Sequence, residues 1–169
     1  MTEVAIFNRR YTSFDSSGTT VFLVNGGGVT TDAQSTLDFT AGEALNQGDF
    51  VYVSGVRVFK ASALSGIAPT NYEVIGVTAE SAPLGSGVSV NVDDVAVILD
   101  ANITADTALV PGERYYLSKY TGQITRYSTA SGFVSNSGTN QYQALAPVGV
   151  ALSTSELEVE IQPPVILYS

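Results

Sequence analysis

A paired-strand pattern occurs twice in this chain, and the duplication limits the possible folds more than any other feature. Gly48-Asp-Phe-Val-Tyr-Val-Ser-Gly-Val-Arg-Val-Phe-Lys-Ala61 reads as an apolar strand, a Gly turn, and a second strand ending on a basic residue. Gly112-Glu-Arg-Tyr-Tyr-Leu-Ser-Lys-Tyr-Thr-Gly-Gln-Ile-Thr-Arg-Tyr127 repeats that order. Each copy is followed by a Val-Gly-Val strand, Val74–Ala79 and then Pro147–Leu152. An alternating strand comes next, Val88–Val92 and then Leu157–Ile161. Two copies of one multi-strand unit, over about residues 41–99 and 109–162, predict a closed all-β domain. Gly76 and Gly149 each interrupt a strand, which marks a bulge or a close backbone approach.

Elsewhere the apolar period is two. Phe50–Val53 and Val56–Phe59 flank Ser54-Gly55 and predict a hairpin. Further strands are expected at Glu73–Thr78, Val88–Val92, Val95–Leu99, Arg114–Ser118, Gln123–Tyr127, Ala146–Leu152 and Leu157–Gln162. Gly, Pro, Asn, Asp or Ser fills nearly every gap. Helical period never lasts beyond a turn or two; Thr36–Glu43 and Asp100–Ala108 are the places where a short helical turn fits. The fold class is therefore all-β, a small β-barrel or sandwich of two related halves. Residues 1–40 read as an extended N-terminal arm or short hairpin, and residues 41–169 as the barrel domain. In the arm, Val4-Ala-Ile-Phe7 and Val21-Phe-Leu-Val24 are separated by Ser, Gly and Thr, including Gly26-Gly27-Gly28. Fully extended, it spans about 130 Å at ~3.3 Å per residue. After Gln162-Pro-Pro164 comes an apolar tail, which must pack on the domain or on a neighbour.

Composition excludes most chemistry. The 169 residues include no Cys and no His, which removes thiolate catalysis, the usual zinc sites and the commonest general base. Adjacent Asp93 and Asp94 point to opposite faces of a strand and cannot flank one bond. Glu156, Glu158 and Glu160 line one face, read as a solvated or partner-facing surface. Asp93, Asp94 and Asp100, with Asn91 or Asn102, have the oxygens calcium needs but not an EF-hand spacing, and read as turn residues. Gly26-Gly27-Gly28 lacks the Lys-Ser/Thr and helix of a phosphate loop. Asn102-Ile-Thr104 matches the glycosylation pattern by chance, and Tyr115, Tyr116, Tyr120 and Tyr127 read as core or interface residues before glycan stackers. The chain is expected to be neither an enzyme nor a cofactor carrier.

Charged residues are only 14% of the chain, against about 25% in an average soluble domain, so part of the surface is expected to be covered. The net charge is −9, and the seven cations, Arg9, Arg10, Arg57, Lys60, Arg114, Lys119 and Arg126, form no basic stripe. Nucleic-acid binding is not expected. No run reaches the ~20 apolar residues of a membrane helix, and the start lacks a signal-peptide pattern, which predicts synthesis in a cytoplasm.

Several segments together resemble one family. Ala41-Gly-Glu-Ala-Leu-Asn-Gln-Gly-Asp-Phe-Val-Tyr-Val53, Phe59-Lys60-Ala61 and Val74–Ala79 are similar, in order, to the start of a module found in tailed-phage structural proteins. Pro111–Ser118, Thr121–Thr125 and Val148–Ser153 resemble its later part. The resemblance covers about residues 41–162 and leaves the arm unmatched. It implies a small, often trimeric β-barrel of capsid decoration (cement) proteins, head fibres and tail fibres, and it carries no catalytic residues. A stand-alone module with an apolar arm resembles a cement protein that bridges major capsid subunits on the outer capsid surface. The alternative is a head or tail fibre module that binds a receptor, and only there is a glycan expected. The expected partner interface is Val4, Ile6, Phe7, Arg9, Arg10, Tyr11, Phe14, Val21, Phe22 and Val24 of the arm, with Val165, Ile166, Leu167 and Tyr168 of the tail.

Overall fold

The structure is a computed structural model that describes residues 13–14, 20–21, 36–65, 71–104, 106–127 and 142–167. Two units are distinct, Met1–Ser35 and Thr36–Ser169. In the first, β1 (Ser13–Phe14) pairs antiparallel with β2 (Thr20–Val21), a minimal hairpin within the arm. Val4, Ile6, Phe7, Arg9, Arg10, Tyr11, Phe22, Val24 and Gly26–Gly28 lie outside the described residues.

The second unit opens with β3 (Thr36–Ala41), β4 (Phe50–Ser54), β5 (Arg57–Lys60), β6 (Leu64–Ser65), β7 (Val74–Thr78) and β8 (Gly87–Asn91). Strands β3, β5, β4, β7 and β8 close a barrel in that order. The closing strand is β3, antiparallel to β8 from Thr36↔Asn91 to Thr40↔Gly87 and parallel to β5 at Thr40↔Arg57 and Ala41↔Val58. The sequence suggested a helical turn at Thr36–Glu43; the chain forms a strand there instead. Six residues give too little local helix to compete with ladders on both edges, and β-branched Thr36 and Thr40 favour the strand. The barrel thus begins before Ala41. The first hairpin turns at Gly55-Val56, one residue later than expected, with Ser54 opposite Arg57 and Gly55 at φ +65°.

The rest of the unit comprises β9 (Val95–Val97), a single 3-10 turn at Asp100–Asn102, β10 (Arg114–Leu117), β11 (Ile124–Arg126), β12 (Tyr142–Leu145), β13 (Pro147–Ala151), β14 (Glu156–Val159) and β15 (Val165–Leu167). No α-helix occurs among the described residues, and the fold is all-β. The order β11-β10-β13-β14-β9 reproduces β5-β4-β7-β8-β3 strand for strand. Registers match too: Val53 faces Val58 as Leu117 faces Ile124, and Val51 faces Gly76 as Tyr115 faces Gly149. Both copies carry a bulge one residue further on, at Val51/Tyr52 and Tyr115/Tyr116. The two glycines have one cause. A Cβ on Gly76 would lie well inside contact of the Asn91 carbonyl oxygen, and one on Gly149 inside contact of the Glu158 carbonyl oxygen. The second copy departs where it would close. The 3-10 turn is inserted after β9, and among the described residues the isolated parallel bridge Ile103↔Ile124 stands where β3 and β5 pair.

Each copy is filled from within. Ala41, Val51, Val58, Val88 and Val90 pack inside the barrel. The position equivalent to Val51 is Tyr115, fully buried, whose phenolic oxygen accepts the Val110 N–H at 3.0 Å. Burial pushes that phenol above its ordinary pKa. Because Phe50 and Val51 point to opposite faces, β4 is buried on both sides: Phe50, Val74 and Val77 join Leu117, Ile124, Val148 and Leu157 in a core shared by the two modules. Burial of such side chains contributes about 1.5–3 kcal/mol each.

A polar latch joins the modules. The buried Asp49 carboxylate accepts the Asn46 N–H at 2.7 Å and the Asn102 amide at 3.0 Å, and pairs with Lys60 at 3.1 Å. A third sheet, β15-β12-β6, finishes the unit. The apolar tail pairs with β12 through Val165↔Leu145 and Leu167↔Gln143 and so packs on its own domain.

Candidate partner interface

The five-stranded sheet has an outward face of unusual composition. Side chains at Val95, Val97 and Leu99 recur every second residue and are all exposed, Val97 by 51%. Cross-strand pairing sets Glu156 opposite Val97 and Glu158 opposite Val95, while Leu157 between them is fully buried. Exposed Leu152 joins this face, since its N–H donates to the Glu156 carbonyl. The result is an aliphatic row flanked by carboxylates along β9, a strand that ends its sheet. Solvent alone gives no reason for three aliphatic side chains in register on one edge. The alternation of Glu156 and Glu158 was legible in the sequence. The aliphatic row was not, although Val95-Ala-Val-Ile-Leu99 is apolar at every position and so carries apolar side chains on both faces of a strand.

Among the expected interface residues, Phe14 and Val21 fall in the arm hairpin. Val165, Ile166 and Leu167 form the edge strand of the third sheet, with Val165 58% exposed and Ile166 half-buried. Tyr168 lies outside the described residues. The tail therefore presents a new sheet edge next to an exposed aliphatic side chain.

The remaining singled-out residues have local roles. Asp94 accepts the N–H of Val95 at 2.7 Å, and the Asp93 N–H donates to Asn91 at 3.2 Å, the geometry of a turn. No group of three or more metal-ligating side chains occurs among the described residues. Asn102 is buried with its amide on Asp49, a place in which it serves the latch. Glu160 pairs with Arg114 at 3.6 Å. Tyr116 packs a tilted ring on exposed Tyr127, and Lys119 lies over Tyr120 at 5.1 Å. With Lys60 on Asp49, and Arg126 held in a two-bond fork by Asp106 at 2.8 and 3.0 Å, the described surface is dominated by carboxylates.

The family model for phage cement proteins matches residues 29–156, well over half of the chain, from before β3 to the start of β14. No curated protein matches the sequence. An all-β double module with exposed aliphatic edges and a family match of this extent has one assignment: the chain belongs to the phage cement protein family, as a decoration protein of the virion capsid.

Proposed function

We propose that the protein bridges neighbouring major capsid subunits from the outer surface of the head, as a homotrimer, and adds binding energy across joints strained by packaged DNA. The observation that carries this reading is the aliphatic row Val95, Val97, Leu99 and Leu152 on a framework sheet of a cement-family protein. Apolar anchors from the arm and the edge strand Val165–Leu167 extend the contact. Strand addition suits such edges, and many modest contacts repeated over a lattice sum by avidity. An outer location fits the net charge of −9, which opposes approach to a polyphosphate interior. The reading needs no catalysis and no cofactor: recognition is by shape and apolar burial.

Copy number tests it. Quantitative gel densitometry of purified particles is expected to give a stoichiometry comparable with that of the major capsid protein. A handful of copies per particle would instead indicate a fibre or receptor-binding module and overturn the cement reading.

A further inference from the structure

A lysine amine and a carboxamide from different modules share a single buried carboxylate. Lys60 Nζ lies 3.1 Å from Asp49 Oδ2, and Asn102 Nδ2 donates to Asp49 Oδ1 at 3.0 Å. Lys60 ends β5 of the first module, and Asn102 closes the 3-10 turn between β9 and β10 of the second sheet. Asp49 and Asn102 are each only 4% exposed and the Lys60 side chain 20%, so the meeting point is largely shut off from water. Backbone forms its walls. A Cβ on Gly48 would meet Asn102 Oδ1 at 2.9 Å, and one on Gly122 would meet Asp49 Oδ1 at 2.7 Å. The Asn46 N–H donates to Asp49 Oδ2 at 2.7 Å and fixes the carboxylate.

Either contact alone would latch the modules. Together the three groups are the nucleophile, the acyl group and the general acid–base of an amide exchange. The second module supplies a contrast at the matching position. Its register aligns Lys60 with Arg126, whose guanidinium stays charged and is no nucleophile, and which forks onto Asp106 at 2.8 and 3.0 Å.

We propose that Lys60 and Asn102 join in an intramolecular isopeptide bond, with Asp49 as the proton carrier. The Lys60 ammonium hands one proton to Asp49, and the freed amine attacks Asn102 Cγ. Asp49 delivers that proton to the leaving nitrogen and takes a second from the attacking one. The Nζ–Cγ bond forms, the Cγ–Nδ2 bond breaks, and ammonia departs with the second proton as ammonium. The exchange is redox-neutral and returns Asp49 to its carboxylate. Holding amine and amide on one carboxylate supplies the proximity that makes such a step unimolecular. The product ties the two modules by a bond that tension on the chain does not separate as it does an ion pair. The inference rests on the latch and stands apart from the capsid role.

Intact-mass spectrometry of the full chain tests it. Relative to the masses of their sequences, the wild type is expected to lack about 17 Da, one ammonia, that Lys60→Arg retains. Proteolysis of the wild type is expected to yield a branched peptide joining Lys60 to Asn102. Lys60→Arg keeps a cation beside Asp49 but has no free amine; Asp49→Asn keeps the size of the side chain but carries no proton between the reactants. Neither variant is expected to form the branched peptide. Wild-type peptides in which Lys60 and Asn102 are separate and unmodified would overturn the proposal. So would an ammonia loss confined to the Asn102 peptide, which is the mark of cyclisation onto its own backbone.

Discussion

Gly149→Ala is expected to destabilise the folded protein by about 3–5 kcal/mol, a large part of the ~5–15 kcal/mol that holds a typical domain. The new methyl would overlap the Glu158 carbonyl oxygen, a backbone atom with no rotamer to change, and meet Leu157 Cγ at 3.0 Å. Strands β13 and β14 would have to part, which weakens the pairing at Gly149↔Val159 and Val150↔Glu158 and strains a fully buried core. Overpacking costs about 1–3 kcal/mol, and each weakened ladder bond about 1 more. Gly76→Ala should cost a similar amount, because its Cβ would overlap the Asn91 carbonyl oxygen and meet Val90 Cγ1 at 2.8 Å. Gly87 is the control: nothing lies within 4 Å of a Cβ there, so Gly87→Ala should stay within about 0.5 kcal/mol of wild type. Urea unfolding measures all three. Equal midpoints for Gly149→Ala and Gly87→Ala would mean that the strands do not cross as closely as described.

Deleting residues 1–24 is expected to separate folding from capsid binding. The unit Thr36–Ser169 contains the closed barrel, the second sheet and the shared core, so its urea midpoint should be unchanged by the deletion. Capsid affinity should fall at least about 100-fold. The segment carries Val4, Ile6, Phe7, Tyr11, Phe14, Val21, Phe22 and Val24, and each apolar anchor buried at an interface contributes about 1.5–3 kcal/mol. Losing two such anchors already accounts for that factor. Co-sedimentation with capsids reads the result, and unchanged binding would remove the arm from the mechanism.

Much of the fold was legible because its signals are local. The paired strands, the two in-strand glycines and the alternation of Glu156, Leu157 and Glu158 all depend on neighbours within a few residues. The paired-strand order of each copy was legible, whereas β9 (Val95–Val97), read with the first copy, pairs with β14 in the sheet of the second. What escaped was non-local. Thr36–Ala41 is held as a strand by Val88 and Val90 on one side and Val58 on the other, partners that six residues of local pattern cannot name. Strands β6 and β12 pair through Leu64↔Gln143 and Ser65↔Tyr142, across more than seventy residues of chain. Asn102 looked like a turn residue, a calcium oxygen or a glycosylation site, yet it closes the latch on Asp49, because that contact exists only once the modules dock. The aliphatic row on β9 was hidden for a similar reason: the sequence makes Val95–Leu99 apolar on both faces, and only the assembled sheet shows which face is left uncovered.

The claim that the protein cements the head is tested most directly by heating capsids that lack it, with and without the purified chain, while following capsid rupture. The account predicts saturable binding and a rise in rupture temperature that grows with occupancy. Capsids that bind the protein to saturation yet rupture at an unchanged temperature, or that do not bind it, would contradict it.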